Sequence, residues 1–462
     1  MKVLLINVSL RPDSPKLLFP IGLGYIASAI DRAGFDLQLL DIDACRYSDD
    51  EVRNILQKED YDVVAMGCIV TSYRIIKELC ATVRECSNAP IVVGNSVASS
   101  IPEILLGKTE ADIAVMGEGD ITVVEILKAL ESKKPLESVD GIYFKKDGKI
   151  VATNAREAIR NLDDIPFINR SLFDMETYIS KAKNSADEPY RISFEDIRLV
   201  LINTARGCAH KCSFCYHVFR DERYRVRSPE FICREIAALQ EEHGINHVKF
   251  ADELTFYSQR QCREFVDTII RHDLNIYWRA VCRADLFTVD DLDLLLECKD
   301  AGCIGLGFSL ENANREILEH MNKKLDPQDF VAQVKACQKA GMPSYTSLVI
   351  GYPAETEDTI KQTFDCCYEC DIYPSTGYLL PQPGTPMYDY AIDRGLIKDE
   401  EEYLLTMGDR QDFRINLTQM EPERIQELVK YHLKRISDKM NLGLDGEGLI
   451  KTSHYKASNR QN

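Results

Sequence analysis

The stretch RLVLINTARGCAHKCSFCYH, residues 198–217, places an apolar run directly before three closely spaced cysteines, Cys208, Cys212 and Cys215. The run predicts a buried strand, and Gly207 with the polar residues behind it predicts a loop. An iron–sulfur cluster normally takes four protein thiolates, and a closed zinc site takes four ligands. Three thiolates can hold three corners of a cubane cluster and leave the fourth iron open to a small molecule. A degenerate zinc site and three core cysteines are the alternatives.

The other cysteines of the chain, which has 16 in all, are interpreted differently. Most lie inside apolar stretches, as Cys68, Cys282, Cys303 and Cys337 do, where a free cysteine behaves as a small hydrophobic residue. The three cysteines within residues 366–370 fall on a predicted helix and indicate packing rather than a second cluster. Disulfides are not expected in a long chain without a secretion signal, and so many thiols favour an anaerobic or reducing host.

Composition and charge narrow the classes of protein. The 462 residues are 45% hydrophobic, which allows about three domains with sizeable cores. A formal net charge of −18 should repel polyphosphate, so nucleic acid is not an expected partner. The opening MKVLLINVSL predicts a first buried strand rather than a signal peptide, and the apolar runs fall short of the ~20 residues of a membrane span. We therefore expect a soluble, cytoplasmic protein without a membrane partner.

Strand and helix patterns alternate over residues 1–140, which predicts an α/β domain with a doubly wound, mostly parallel sheet. Ligands of such sheets bind beyond the carboxyl ends of the strands. Residues 141–195 are predicted to be a connector that starts with a hairpin around Asp147 and Gly148.

A second alternation of about six βα units covers residues 196–390 and predicts a partial (β/α)6 barrel, smaller than a full eight-unit barrel. Residues 391–462 are predicted to be helical. Loops at the carboxyl ends of barrel strands carry the chemistry of such folds, and the three cysteines lie in one of them.

The C-x3-C-x2-C spacing after a strand and before Tyr216 resembles the radical SAM superfamily. Three further segments in the expected order strengthen the resemblance. They are GLGFSLENANREILEHMNKK (305–324), VIGYPAETEDT (349–359) and PQPGTPMYDYAIDRGLI (381–397).

The resemblance implies a 4Fe-4S cluster on the three cysteines. Its open iron would chelate the amino and carboxylate groups of S-adenosyl-L-methionine, whose reductive cleavage gives a 5′-deoxyadenosyl radical. The cofactor-binding residues that it implies in this domain are Phe214, Tyr216, Glu253, Arg283, Ser309, Glu311 and Gly351. Two of them have a structural alternative, since Arg283 can pair with Asp285 and Glu253 can cap the next helix.

Residues 19–43 and 112–127 resemble the cobalamin-binding domain that precedes many radical SAM enzymes. Small residues in its turns would let a macrocycle or its nucleotide tail approach the backbone. The binding residues implied here are Thr71, Ser72, Gly94, Asn95, Ser96, Gly117, Glu118 and Gly119. The first 200 residues contain no histidine and no Asp-x-His-x-x-Gly motif, so the resemblance implies cobalamin without a histidine lower ligand.

The function that this resemblance implies is a cobalamin-dependent radical SAM methyltransferase. It would methylate an unactivated sp3 carbon of a peptide, protein or small molecule through the adenosyl radical and methylcobalamin. A ferredoxin or flavodoxin type of electron donor is expected. A methanogen enzyme of this group methylates a glutamine carbon of methyl-coenzyme M reductase, which makes a protein substrate one expectation.

Two alternatives remain open, and no catalytic side chain or substrate is assigned. One is a non-methylating relative such as an anaerobic cyclase. The other is a corrinoid carrier or sensor with a structural cluster.

Overall fold

The structure is a computed structural model that describes residues 1–186, 189–408 and 410–451. Within these residues, no helix combines the length and the apolar composition that crossing a bilayer requires.

The first half of the chain forms a seven-stranded sheet in the order β2-β1-β3-β4-β5-β6-β7. Its strands are β1 Lys2–Asn7, β2 Asp36–Asp41, β3 Val63–Gly67, β4 Ile91–Gly94, β5 Ile113–Val115, β6 Ile142–Lys146 and β7 Lys149–Ala152. The first five strands pair in parallel. Strands β1, β3, β4 and β5 are apolar and almost wholly buried, as expected for a sheet covered on both faces.

Helices lie on both faces of this sheet, which confirms the doubly wound prediction. They are α1 Ile21–Arg32, α2 Ile42–Cys45, α3 Asp49–Lys58, α4 Tyr73–Cys86, α5 Asn95–Ser100, α6 Pro102–Lys108 and α7 Gly119–Glu131. Helices α1 and α7 bury apolar residues in the core on one face, and α3 and α4 do so on the other. Gly34, with φ of 82°, follows the C-terminal end of α1 in the left-handed region that favours glycine.

The predicted hairpin around Asp147 and Gly148 is present as β6 and β7, but it does not start a connector. Strand β6 pairs antiparallel with β5, and β7 pairs with β6, so the hairpin extends the first sheet. The boundary predicted at residue 140 therefore divides paired strands, and the assignment of 141–195 to a connector needs correction for this hairpin. The division into domains otherwise stays a proposal. Helix α8, Met175–Ala182, packs against the next strand of the chain.

The second half contains six parallel strands in chain order, which confirms the partial barrel. The strands and the short ribbon β9–β10 are β8 Leu199–Ile202, β9 Ala205–Arg206, β10 Arg225–Val226, β11 His247–Phe250, β12 Tyr277–Val281, β13 Cys303–Gly307, β14 Ser344–Tyr345, β15 Ser347–Ile350 and β16 Ser375–Tyr378. Five of the strands form a sheet in the order β14-β13-β12-β11-β8, and β15 pairs with β16 in a second sheet. Only Thr346 separates β14 from β15, and a bridge from Glu311 to Leu348 continues the pairing.

Helices cover the outside of the barrel. They are α9 Pro229–His243, α10 Gln259–Arg271, α11 Leu292–Asp300, α12 Arg315–His320, α13 Pro327–Ala340 and α14 Glu357–Glu369. Cys282, Cys303, Cys337 and Cys367 are buried between strands and helices, and Cys68 is buried in the first sheet. Strand β12 ends at Val281. Beyond it, Cys282 forms a β-bridge to Phe256, and its amide donates to the Gly307 carbonyl.

The C-terminal region returns to both halves of the molecule. Its helices are α15 Pro386–Asp393, α16 Glu400–Thr406 and α17 Pro422–Lys439. Helix α17 packs on α14 through Ile425, Val429 and Leu433. Helix α16 packs on α4 of the first sheet, where Leu404 and Met407 complete the core. Residues 452–462 of the predicted helical region lie outside the described residues.

Candidate functional site

The three cysteines lie in a loop, residues 207–224, that follows β8 and is closed by the β9–β10 ribbon. We call it the cysteine loop. Gly207 begins it with φ of 87°, in the left-handed region that favours glycine. A Cβ on Gly207 would also stand 3.4 Å from the Cβ of Phe219. The first turn of the loop therefore requires glycine.

Hydrogen bonds to the main chain hold the cysteine loop and leave the thiols free. Arg220 Nη1 donates to the carbonyl oxygens of Cys212, at 2.7 Å, and Cys215. The amide of Ser213 donates to the carbonyl of Met321 at 2.9 Å. Cys208 and Cys212 are half-buried and Cys215 is exposed. Their side chains are thus available to an inorganic group.

The arrangement of these thiols fits a cluster better than a single zinc ion. Within the described residues, no three His, Cys, Asp or Glu side chains converge on a point that could hold one metal ion. A tetrahedral zinc needs thiolates at about 2.3 Å from one centre. A cubane cluster distributes its thiolates over separate irons, so they need not converge.

Two charged side chains lie near the cysteine loop. Burial raises the pKa of the Cys212 thiol, and the charge of Lys323 opposes this while that of Glu311 adds to it. Lys323 Nζ lies 3.4 Å from Glu311 Oε1, whereas the buried Glu311 Oε2 has no partner among the described residues. Glu311 also has φ of 63°, which is costly for a non-glycine residue. A strained, half-satisfied buried carboxylate marks a candidate ligand contact.

The predicted cofactor residues around Glu311 differ in what they contact. Ser309 accepts a hydrogen bond from Ser347 Oγ at 2.7 Å. Arg283 pairs with both carboxylate oxygens of Asp285 at 3.1 and 3.0 Å. It also donates to the carbonyls of Lys323 and Lys324, so the structural alternative for Arg283 is realised.

Gly351 and Phe214 take part in packing and turn formation. Gly351 has φ of 107°, and its amide donates to Glu355 Oε2. Burial raises the pKa of Glu355 to about 7. The sequence analysis did not identify Glu355. The feature that could have indicated it is its position four residues after Gly351. Phe214 packs in an apolar cluster with Tyr352 and Leu379.

A cavity of about 640 Å³ lies between the carboxyl ends of the first sheet and the barrel, and we call it the interdomain cavity. The predicted residues that line it are Thr71, Gly94, Asn95, Ser96, Gly117, Glu118, Gly119, Tyr216 and Glu253. Other predicted residues do not line it, namely Ser72, Phe214, Arg283, Ser309, Glu311, Gly351, Cys208, Cys212 and Cys215. The structure thus places most of the cobalamin-binding residues predicted in the first domain at one cavity, together with Tyr216 and Glu253 of the barrel.

The turns of the first sheet that face the cavity are tied to one another. Asn95 has φ of 68°, and its Oδ1 accepts from the amide of Ser96 at 2.6 Å. Ser96 Oγ accepts from the amide of Val70 at 2.8 Å, which joins the turns after β3 and β4. A Cβ on Gly117 would meet nothing within 4 Å, so open space lies beside that backbone. These turns fit the approach of a flat ligand.

Gly119 and Glu118, which line the cavity, also make structural contacts. A Cβ on Gly119 would come within 2.8 Å of Ile26, so this glycine allows α1 and α7 to pack closely. The side chain of Glu118 is buried and pairs with Arg206 at 2.7 Å and with Arg225 at 3.0 Å. Its carboxylate therefore joins the two domains and is not free for a ligand.

Sequence reasoning missed Arg206, which precedes the cysteine loop and is buried. It pairs with both carboxylate oxygens of Asp120 at 2.9 and 3.0 Å, and lies over the rings of Tyr25 and Phe219. The feature of the sequence that could have indicated Arg206 is its charge at a position between a buried strand and the cysteine motif.

The carboxylates after β11 have distinct roles. Glu253 lines the cavity, and its Oε2 accepts from the Gly207 amide at 3.3 Å. It does not cap α10, because Ser258 does so. Asp252, which sequence reasoning missed, accepts from the amides of Thr204 and Ala205 at 2.8 and 3.1 Å. Burial raises the pKa of Asp252 to about 7.

Two family models match the chain in the places where these sites lie. The B12 binding domain matches residues 13–127, and the Radical SAM superfamily matches residues 202–367.

Curated relatives match over most of their length. An uncharacterized methyltransferase of Pyrococcus horikoshii is 28% identical over 89% of this chain and 86% of its own. An anaerobic magnesium-protoporphyrin IX monomethyl ester cyclase of Synechocystis is 26% identical over 93% and 84%. A cytidylyl-2-hydroxyethylphosphonate methyltransferase of Streptomyces wedmorensis is 25% identical over 89% and 85%.

Solved structures show the same fold. The radical S-adenosylmethionine methyltransferase TsrM from Kitasatospora setae, with tryptophan and a SAM analogue bound, superposes with a TM-score of 0.67 at 21% identity. The match covers 86% of this chain and 77% of that one. The cobalamin-dependent radical enzyme OxsB, with aqua-cobalamin and S-adenosylmethionine bound, gives 0.66 at 17% identity and covers 91% and 58%. With the two models matched in this order, the chain contains a B12-binding domain followed by a radical SAM domain.

Proposed function

We propose that this enzyme is a cobalamin-dependent methyltransferase that methylates an unactivated sp3 carbon, with a peptide or protein residue as the favoured substrate class. The observation that supports this is the interdomain cavity, which the turns of the first sheet share with Tyr216, the residue after Cys215. One cavity would thus put a corrinoid beside the radical-forming site.

The proposal assigns the cofactors to two sets of residues. Cys208, Cys212 and Cys215 would bind three irons of a 4Fe-4S cluster, and the turns around Gly94 and Gly117 would hold the corrinoid. When bound, the cluster would supply the electron that cleaves S-adenosyl-L-methionine, and the corrinoid would carry the methyl group.

The side chains of this enzyme shape the space around those groups. Apolar residues such as Val8, Leu10 and Leu23 line much of the interdomain cavity. Glu253 presents a carboxylate to the cavity and Glu311 holds an unpartnered carboxylate oxygen, so both can accept hydrogen bonds from a ligand. The first 200 residues contain no histidine, which supports a cobalt without a histidine lower ligand.

A non-methylating reaction is the second candidate, and one comparison favours it. Anaerobic magnesium-protoporphyrin IX monomethyl ester cyclases match this chain nearly as well as methyltransferases do. The Cereibacter sphaeroides cyclase is 27% identical, although the match covers only 62% of its length.

The test uses the full chain, reconstituted anaerobically with iron, sulfide and methylcobalamin and given S-adenosyl-L-methionine and dithionite. Candidate peptides, including a glutamine peptide of methyl-coenzyme M reductase, are added, and mass spectrometry follows 5′-deoxyadenosine, S-adenosylhomocysteine and peptide mass. Methyl transfer predicts both nucleoside products and a methyl increment on one substrate.

Other outcomes decide against the proposal. If 5′-deoxyadenosine forms without S-adenosylhomocysteine, the cyclase type of reaction is favoured. If neither forms while iron is fully incorporated, the cluster is structural and the chain is a corrinoid carrier or sensor.

A further inference from the structure

The interdomain cavity contains a buried imidazole that the described protein leaves unused. His217 is only 8% exposed and lines the cavity from the barrel side. Its buried Nδ1 has no hydrogen-bond partner among the described residues. The great majority of buried polar groups in folded proteins are paired, so an unpaired one on a residue that lines a cavity marks a candidate ligand contact.

The neighbours of His217 are already engaged with other groups. Arg220 donates its amide to the His217 carbonyl at 3.0 Å, but its guanidinium binds the carbonyls of Cys212 and Cys215. Asp221 pairs with Lys211 at 3.1 Å. The backbone of His217 is therefore fixed while its ring stays available.

A second uncommitted polar side chain lines the same wall. The carbonyl of Gln382 accepts from the amide and hydroxyl of Thr385, at 3.1 and 2.7 Å, which fixes the turn. Within the part of the chain that the structure describes, the side-chain amide of Gln382 makes no hydrogen bond, and it lines the cavity. A Cβ on Gly384 would come within 2.8 Å of the Tyr216 ring, so this turn lies against the residue next to His217.

We propose that His217 and Gln382 form a carboxamide-binding edge, through which the barrel holds a peripheral amide of the corrin. The inference rests on the proposed function, since it takes a corrinoid to fill the cavity. Both side chains offer a donor and an acceptor, which complement the oxygen and NH2 group of a primary carboxamide. Three of the charged residues that line the cavity, Glu118, Asp120 and Arg206, are paired with one another and do not compete, whereas Glu253 is a further acceptor in the same cavity.

The experiment measures binding of cob(II)alamin to the full, iron-loaded chain by anaerobic equilibrium dialysis. His217→Leu and Gln382→Leu should each raise the dissociation constant roughly 5- to 30-fold, as loss of a buried hydrogen bond does. His217→Gln, which keeps a donor and an acceptor, should retain most of the affinity. His243→Leu is the control, because among the described residues its buried Nε2 also has no hydrogen-bond partner, with the Glu242 carboxylate 3.9 Å away, and the residue does not line the cavity.

Electron paramagnetic resonance of the bound cob(II)alamin separates this role from axial ligation. If His217 does not bind cobalt, the wild-type spectrum should contain no nitrogen splitting that is absent from the spectrum of His217→Leu. Such a splitting would overturn the inference, and so would unchanged affinity in His217→Leu and Gln382→Leu. Iron content and circular dichroism identify a misfolded variant, in which case the other leucine variant decides. If the wild-type chain holds iron but binds no corrinoid, the proposed function fails instead.

Discussion

At the scale of single residues, the cysteine motif is defined by spacing, but its shape depends on glycine and arginine. Gly207 supplies a left-handed turn at the start of the loop, and Arg220 binds two cysteine carbonyls. Neither contact uses a thiol. The protein thus positions three sulfur ligands through its backbone, so each thiol should be needed for the cluster and nothing else.

Cys212→Ala should therefore abolish cluster assembly with little effect on the fold. We expect loss of cluster absorbance, less bound iron and no 5′-deoxyadenosine after reconstitution. Cys366→Ala, on helix α14, is the control and should keep iron and activity. Equal iron loss in both variants would contradict the assignment of the ligands.

Glu355 should make stability depend on pH. Burial holds its folded-state pKa at about 7, above an ordinary value of 4.5. As pH rises between these values, the unfolded chain releases this proton first, so the free energy of unfolding falls. The free energy of unfolding of the wild type, measured relative to that of Glu355→Gln, should thus fall by about 1–3 kcal/mol from pH 5 to pH 8.

Anaerobic urea unfolding at several pH values measures this change. Glu357→Gln is the control, since its exposed carboxylate pairs with Arg424, which lowers the pKa of Glu357. That variant should not remove the fall in stability with pH. Parallel pH profiles of wild type and Glu355→Gln would show that Glu355 is not responsible.

Roles of single residues were the hardest to predict from sequence. The three cysteines needed only local spacing. Asp252 and Glu118 instead depend on partners 48 and 88 residues away, Thr204 and Arg206. Which carboxylate is free for a ligand is decided by such distant pairings, and no local pattern encodes them.

At the scale of elements, the β9–β10 ribbon and the start of α7 are joined by a buried ion-pair cluster. Arg206 on β9 and Arg225 on β10 bind Glu118, and Arg206 also binds Asp120 in the first turn of α7. The base of the cysteine loop is thus held against one wall of the cavity.

Asp120→Asn should loosen this junction. We expect a loss of about 1–3 kcal/mol in stability, because Arg206 loses a charged partner in a buried site. If the proposed function holds, 5′-deoxyadenosine should still form while methylated product per 5′-deoxyadenosine falls. Glu157→Gln, in a pair with Arg160 that is almost fully exposed, is the control for both measurements. An unchanged product ratio would argue against a positioning role.

The elements themselves were largely predictable, because periodicity is local. The predicted alternation of strands and helices is present in both halves of the chain, for example as β13, α13 and β14. The pairing of β6 with β5 was not predicted, since a hairpin pattern shows two strands but not the third strand that they join. The break at Thr346 between β14 and β15 was not predicted either.

At the scale of the whole molecule, the two sheets present their carboxyl ends to one cavity, and α16 connects the C-terminal region to the first sheet. Glu401 binds Tyr73 and Lys77 on α4. Leu404, 1% exposed, lies in the core of the first sheet. This contact joins the C-terminal region to the first sheet.

Leu404→Ala should weaken that contact. The cavity left behind should cost about 2–5 kcal/mol, and limited proteolysis between α15 and α17 should speed up. Leu442→Ala, at a residue 42% exposed, should change neither measurement. Unchanged proteolysis of Leu404→Ala would show that α16 does not hold the domains together.

The dependence of the first sheet on α16 also affects the order of folding during synthesis. The ribosome completes residues 1–152 about 250 residues before Leu404 and Met407 emerge. Until then, the nascent sheet exposes the apolar surface that those residues will cover. A fragment of the first domain expressed alone would keep that surface and tend to self-associate, so chaperone capture should be strongest at this stage of translation.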